Sequence, residues 1–402
     1  MRETDTQAQT DMLTNWSVGR VVSATKGAGL DAVIAATVPN VFYVTGFPGF
    51  EPQYAVVTRD GAVHLVVPSS DCDLAAMYRP RVDSLTVFGT LFVEPGDRPA
   101  EMSDDERFIS NRVADLSCGG DWLQALDNVL RADGLDKARI QVDEGGFSPT
   151  QLESLRSSFP DATLEVGSEV LSRCRRAKAP VEVARLRKAS SITESSIEHA
   201  LAQMGDGSTD VDLHREFLAA QVRQGARPYF EVVAVGSRTS LCNAEPNGTP
   251  LGQNKVIRFD VGCKYMMYCS DIARNAVLGE VSSKVKSYYQ AILAGEQAGL
   301  EAIRPGVSAS DLFHLMVDTV RKKGIPHYQR HHCGHGIGLD GYEMPLIAPQ
   351  DATVLEQGMV LCLETPYYEL GVGGLQVEDM VLVTNDGFEL LTELDRDILV
   401  RV

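Results

Sequence analysis

Apolar residues return along this chain in two rhythms, every third or fourth position in some stretches and every second in others, and their alternation predicts a mixed architecture. Helical spacing covers residues 20–29, and apolar runs at 31–35 and 41–46 predict strands behind it. Two β-branched runs at 54–58 and 62–67 flank Asp60-Gly61, a dipeptide suited to a tight reverse turn, so this segment predicts a hairpin. A helix over 122–135 and a strand over 140–143 complete an α/β unit at 17–168, behind a polar tail at 1–16. Residues 94–111 are charged and carry Pro95 and Pro99, which predicts an exposed excursion or lid.

Residues 173–182 are basic, poor in apolar positions and interrupted by Pro180, and predict a linker near the start of a second unit at 169–402. Val183, Leu186, Ala189, Ile192, Ile197 and Leu201 mark a long helix at 181–204, followed by helices at 210–224 and 283–303. The remainder reads as strands at 229–236, 255–263, 266–278, 358–368 and 374–384. The second unit is therefore α+β.

Composition narrows the classes of partner. A chain of 402 residues with 44% hydrophobic content can bury two cores. The 37 basic residues against 55 acidic ones give a net charge of −18, which argues against nucleic acid or an anionic membrane as the main partner. The eight cysteines include no CxxC pair and lack the density of a disulfide scaffold, so reduced thiols and a cytoplasmic location are expected. The polar, acidic stretch 1–16 has no apolar core of a signal peptide, and no window reaches the roughly 18 apolar residues of a membrane span.

The chemistry gathers in the last third. Asp260, Asp271, His335, Glu364 and Glu378 each stand in a short strand-like or glycine-turn context. Four carboxylates and one imidazole suit two divalent ions of the Mn, Co, Zn or Fe type. Asp260 and Asp271 read as residues of the two arms of one antiparallel hairpin with its tip near Lys264, and Glu364 and Glu378 repeat the arrangement around the turn at 371–374. Gly334, Gly336 and Gly338 around His335 allow close backbone approach.

The segments FDVG, CSDIARN, GHGIG, LETP and LQVEDMVLVT, in this order and spacing, resemble the M24 metallopeptidase family of Xaa-Pro aminopeptidases, prolidases and methionine aminopeptidase. The likeness extends to YVTGF at 43–47, similar to a creatinase-type N-terminal domain, and to residues 176–182, similar to the start of the catalytic domain. The resemblance implies a pita-bread C-terminal domain in which Asp260, Asp271, His335, Glu364 and Glu378 hold two divalent ions. It also implies attack of metal-activated hydroxide on a C–N amide bond in a small peptide, with Glu364 as proton shuttle. Homodimerisation follows from the same resemblance, with the loop at 43–53 as the segment placed near a neighbouring cleft.

Two departures from the family pattern bear on substrate. A histidine usual in the segment 240–246 is replaced by Asn243, and another in the segment 339–345 is absent, where Tyr342 stands. An amide and a phenol are both hydrogen-bond donors, so Asn243 and Tyr342 are the expected oxyanion donors, with Tyr229, Arg238 and Glu343 as further candidates for contact with substrate. Asn275, in place of a threonine, is expected to act through Asp271. Of His331, His332 and Cys333, at most one is expected to face the site, and His64, His199, His214, His314 and His327 read as surface or helix residues. A cyclic amide or other non-peptide small molecule is the alternative substrate, and a non-catalytic scaffold the rival class. Four converging carboxylates with no cation would repel one another, which disfavours the scaffold.

Overall fold

The computed structural model describes residues 3–50, 52–94, 99–113 and 120–401. The chain divides into two compact units, Met1–Arg175 and Arg176–Val402. In the first, the β-branched runs pair into one six-stranded mixed sheet in the order Ser84–Phe88, Val63–Pro68, Tyr54–Thr58, Ala32–Ala35, Arg139–Val142, Thr163–Val166. The antiparallel pair Tyr54–Thr58 and Val63–Pro68 is the hairpin that Asp60-Gly61 predicts. Leu126, Val129 and Leu130 of helix Trp122–Ala132 cover one face, packed with Ile34, Val56 and Ile140.

Several elements differ from the sequence reading, each for a physical reason. The tail expected at 1–16 belongs to helix Glu3–Gly27, which also replaces the helix expected at 20–29. Its buried positions include Leu13, Thr14, Ser17, Val21 and Thr25, and the three hydroxyls bond carbonyls at 14→10, 17→14 and 25→21, so a polar sequence presents a buried seam. The strand expected at 41–46 is helix Val38–Thr45, opened by Pro39 and closed by Gly46 at φ 70°, with Asn40–Thr45 all buried. A helix buried on every side has no polar stripe to give a 3.6-residue period. Within the expected excursion at 94–111, residues 95–98 lie outside the described residues. Asp104–Val113 is a helix whose first turn carries Asp104, Asp105 and Glu106, the favourable sign for a helix N-terminus. The linker expected at 173–182 is the end of helix Glu169–Arg176 and the start of helix Pro180–Gln203. The boundary expected at 168/169 thus lies one helix before the observed division.

The second unit is built on a ten-stranded sheet. Its main path runs Glu343–Leu346, Gly334–Gly336, Val360–Glu364, Glu378–Val383, Ile272–Leu278, Val256–Tyr265, Arg227–Val235. Period-two alternation gives this sheet two chemically distinct faces. One meets the helices: Phe259 and Val261 pack with Ile197, Leu213 and Phe217, while Leu361, Leu363 and Val381 pack with Ile292, Leu312 and Met316. The other carries acids.

The hairpin between Asp260 and Asp271 turns at Met266-Met267, both at positive φ (48° and 75°), two residues beyond the tip expected at Lys264. Gly262 lets its arms close, since a Cβ there would lie 1.9 Å from the Ser270 carbonyl oxygen. Gly262→Ala is expected to cost about 3 kcal/mol, the upper end for forcing a methyl into packed structure, read as a lower urea midpoint at unchanged m-value. No helix among the described residues is long and apolar enough to cross a membrane, and the seven cysteines among them are all free.

Candidate metal centre

Strand register assembles the site. Asp260 pairs with Ala273, Ala273 with Glu378, and Glu378 with Glu364, so these four occupy one row across four strands. His335 pairs with Cys362 and Cys362 with Met380 in the next row. Asp271, two positions from Ala273 along its strand, projects from the same face as Asp260. Residues separated by 118 positions in the chain thus converge, and Asp260, Asp271, His335, Glu364 and Glu378 are all buried.

Ligand-type oxygens of Asp260, Asp271 and Glu378 lie within 4.8 Å of one another. Nε2 of His335 is 3.8 Å from Asp271 Oδ2 and 3.8 Å from Glu378 Oε1. Its Nδ1–H donates a hydrogen bond to the Gly336 carbonyl oxygen at 2.9 Å, which leaves the Nε2 lone pair aimed at the acids. His335 Nε2 and Asp271 Oδ1 are buried with no hydrogen-bond partner in the protein. Orphaned atoms of this kind, with a donor set of four carboxylates and an imidazole, fit divalent cations.

Electrostatics point the same way. Burial pushes Asp260 up to about 6, with the Arg258 guanidinium opposing the rise and Glu364 adding to it. Burial and neighbouring carboxylates raise Asp271 and Glu378 well above the ordinary range. Burial acts on Glu364 too, but His332, Arg330 and His335 outweigh it and hold this carboxyl low. Without cations, Asp271 and Glu378 therefore hold their protons well above the pH at which ordinary carboxyls lose them, Asp260 does so to about pH 6, Glu364 loses its proton early, and burial favours neutral His335.

Residues that the sequence reading missed hold these candidate ligands in place. Arg258 Nη1 bonds Asp260 Oδ2 at 3.0 Å and Gln376 Oε1 at 2.8 Å, while its other nitrogens reach the carbonyls of Thr239, Leu241 and Cys242. The Gln376 amide donates to Glu364 Oε2 at 3.3 Å. Both lie two positions from a ligand, at 258 and 376, so alternation alone puts them on the ligand face and is the signal that finds them. His332 Nε2 stands 2.8 Å from Glu364 Oε1, with Arg330 Nη2 at 3.6 Å from the same oxygen. Of the three residues before the glycine turn, His332 is thus the one that faces the site; His331 is exposed and Cys333 joins the apolar core. On the opposite face, Arg274 Nη1 bonds the Glu378 carbonyl at 2.7 Å and Nη2 meets Asp379 at 2.6 Å, bracing the ligand strand from behind.

The expected substrate residues fall in two groups. Tyr342 stacks on His335 with ring centroids 3.7 Å apart, 58% exposed; burial about its hydroxyl and the facing carboxylates push its pKa up. Asn243 is exposed at the turn that Arg258 tethers through Cys242. Tyr229 lies under Lys264 Nζ at 4.4 Å and packs where a Cβ on Gly341 would collide at 2.7 Å. Glu343 differs from its expected role: Oε2 forms a buried pair with Lys178 at 2.8 Å and Oε1 accepts from the Leu339 and Asp340 amides, so it anchors the loop that presents Tyr342. Arg238 donates to the Glu245 carbonyl at 2.7 Å and braces its own loop. Asn275 is likewise not directed at Asp271; its amide donates to the Gln376 carbonyl.

Comparison with known proteins places this geometry in context. The model of metallopeptidase family M24 matches residues 184–385, and that of the creatinase/prolidase N-terminal domain matches residues 18–177. An uncharacterized peptidase of Staphylococcus aureus (strain USA300) is 31% identical over 246 residues, covering 60% of this chain and 68% of that protein. A Xaa-Pro dipeptidase of Pyrococcus horikoshii is 24% identical over 389 residues, 96% of this chain and 99% of that protein. The solved Xaa-Pro dipeptidase from Bacillus anthracis superposes with a TM-score of 0.81 at 22% identity, over 96% of this chain and all of that one.

Proposed function

The chain belongs to metallopeptidase family M24, a hydrolase with a creatinase/prolidase-type N-terminal domain and a pita-bread domain, and on that premise we propose that it cleaves the amide bond of Xaa-Pro peptides, as an aminopeptidase or dipeptidase, at a centre for two divalent ions. The observation that carries this reading is the gathering of oxygen and nitrogen atoms of Asp260, Asp271, His335 and Glu378, with Glu364 beside Glu378 in the same strand row, and with His335 Nε2 and Asp271 Oδ1 left without a hydrogen bond. Two such ions, when bound, lower the pKa of water and polarise the scissile carbonyl.

The protein's own groups supply the rest. Glu364, ionised and held at Oε1 by His332 and Arg330, accepts the proton of the attacking water and passes it to the leaving nitrogen. Tyr342, above His335, and Asn243, on its tethered turn, are the hydrogen-bond donors for the developing oxyanion. Tyr229 lines the approach beside the Tyr342 loop. His332 is a positioning residue: His332→Ala is expected to lower kcat by about 10–100-fold, the usual range for loss of a group that orients a ligand, with both ions retained by metal analysis.

Neutral donors at 243 and 342 in place of imidazoles also favour a second substrate class, a cyclic or otherwise non-peptide amide. A screen of Mn- and Co-loaded protein against Gly-Pro, Xaa-Pro-Yaa and cyclic amide panels decides between them, with Glu364→Gln as control. Release of the N-terminal residue from Xaa-Pro substrates is expected. Turnover of cyclic amides alone would move the assignment to the second class, and no turnover of any panel with either metal would sink both.

A further inference from the structure

A thiol stands in the ligand rows with no part in this chemistry. Cys362 stands between His335 and Met380 in the register, on the acid-bearing face, while its neighbours Leu361 and Leu363 point into the helix-packed core. Its side chain is fully buried. Its sulfur, a nitrogen of His335 and an oxygen of Glu378 form a set whose members all lie within 4.8 Å of one another. Donors sharing one tetrahedral ion through bonds of 2.0–2.3 Å stand about 3.3–3.8 Å apart, so this set lies within about 1 Å of ligand spacing. The hydrogen bond that the thiol makes is long, 3.8 Å to the Asp271 carbonyl. A second observation points to a cation here: His335 Nε2, completely buried, makes no hydrogen bond and stands 3.8 Å from Glu378 Oε1.

The two halves of the centre also differ in character. Asp260, Asp271 and Glu378 offer only oxygen, whereas His335, Cys362 and Glu378 offer nitrogen, sulfur and oxygen. Oxygen sets suit Mn and Mg, and sulfur shifts preference toward Zn and Co.

We propose that Cys362 is a sulfur ligand of the cation held by His335 and Glu378, so that this half of the centre selects Zn²⁺ or Co²⁺ over Mn²⁺. Coordination replaces the S–H bond by a sulfur–metal bond and releases the proton to solvent. The inference rests on the dinuclear reading above, and the test separates the two.

Metal-free full-length protein is titrated with Co²⁺ and followed by absorbance. Bound cobalt gives visible d–d bands, and a thiolate ligand adds a charge-transfer band in the near ultraviolet. Wild type is expected to show both. Cys362→Ser is expected to keep the visible bands, lose the near-ultraviolet band, and bind Zn²⁺ about ten-fold or more weakly, with Mn²⁺ binding changed by less than about two-fold. Visible bands without the charge-transfer band in wild type would overturn the sulfur ligand and leave the dinuclear reading intact. A charge-transfer band that survives in Cys362→Ser would do the same, because it would belong to another cysteine. No cobalt bands at all would overturn both. X-ray absorption of the Zn-loaded wild type needs no variant: a sulfur neighbour at about 2.3 Å is expected, and a shell of nitrogen and oxygen alone would refute it.

Discussion

Glu364→Gln is expected to lower kcat by about 10²–10⁴-fold, the range for removal of a positioned general acid–base group. The carboxyl is the one acid of the cluster that its surroundings hold low, because His332, Arg330 and His335 outweigh the cost of burying it. It is therefore ionised and able to take a proton, whereas Asp260, Asp271 and Glu378 would be committed to the cations. Glutamine keeps the shape and an oxygen toward His332 and Arg330, but an amide takes up no proton near neutral pH. KM is expected to stay within a few-fold, since Tyr342, Asn243 and Tyr229 are untouched. Steady-state kinetics with metal content measured on the same sample checks this. A variant that retains its ions and turns over at more than a tenth of the wild-type rate would remove Glu364 from the proton path.

The second large effect is on stability, and its sign depends on pH. Asp260 is pushed up to about 6, and Asp271 and Glu378 lie well above the ordinary range, burial being the first cause in each. Unfolded carboxyls titrate near 4. Between these limits the cation-free fold holds more protons than the unfolded chain, so its stability is greatest below about pH 4 for these groups and falls as pH rises through 6. Cation binding requires the deprotonated acids and reverses the trend. Mn²⁺ or Co²⁺ at about 100 times its dissociation constant adds about 2.7 kcal/mol, or roughly 5–10 °C in Tm for a unit of this size. That gain is expected near pH 7.5 and is expected to shrink to less than about 2 °C near pH 5, in thermal melts with and without the ion. Asp271→Asn is expected to abolish it at both. Equal gains at the two pH values would contradict protonated acids in the cation-free cluster.

The convergence of the five candidate ligands was legible because each stands in a short strand or glycine turn whose period-two pattern fixes its face. What escaped reading depended on partners far away in the chain. Glu343 looked like a group for substrate until Lys178, 165 positions earlier, occupied one of its oxygens. His332 could not be separated from His331 and Cys333 by alternation, because the chain bends at the glycine turn. Helix Glu3–Gly27 hid because hydroxyl residues bonded to its own backbone line its buried side. Helix Val38–Thr45 hid for another cause: Asn40–Thr45 are all buried, so no exposed polar stripe marks a helical period.

The single row that joins Asp260, Ala273, Glu378 and Glu364 limits how such a chain can change length. One residue added or removed within any of these strands would swing an acid into the helix-packed core and a leucine or valine into the ligand cluster. Insertions and deletions are expected to be harmless to the chemistry only at the strand ends, at Met266-Met267 and at the turn 370–372, where the two arms can grow without sliding past each other.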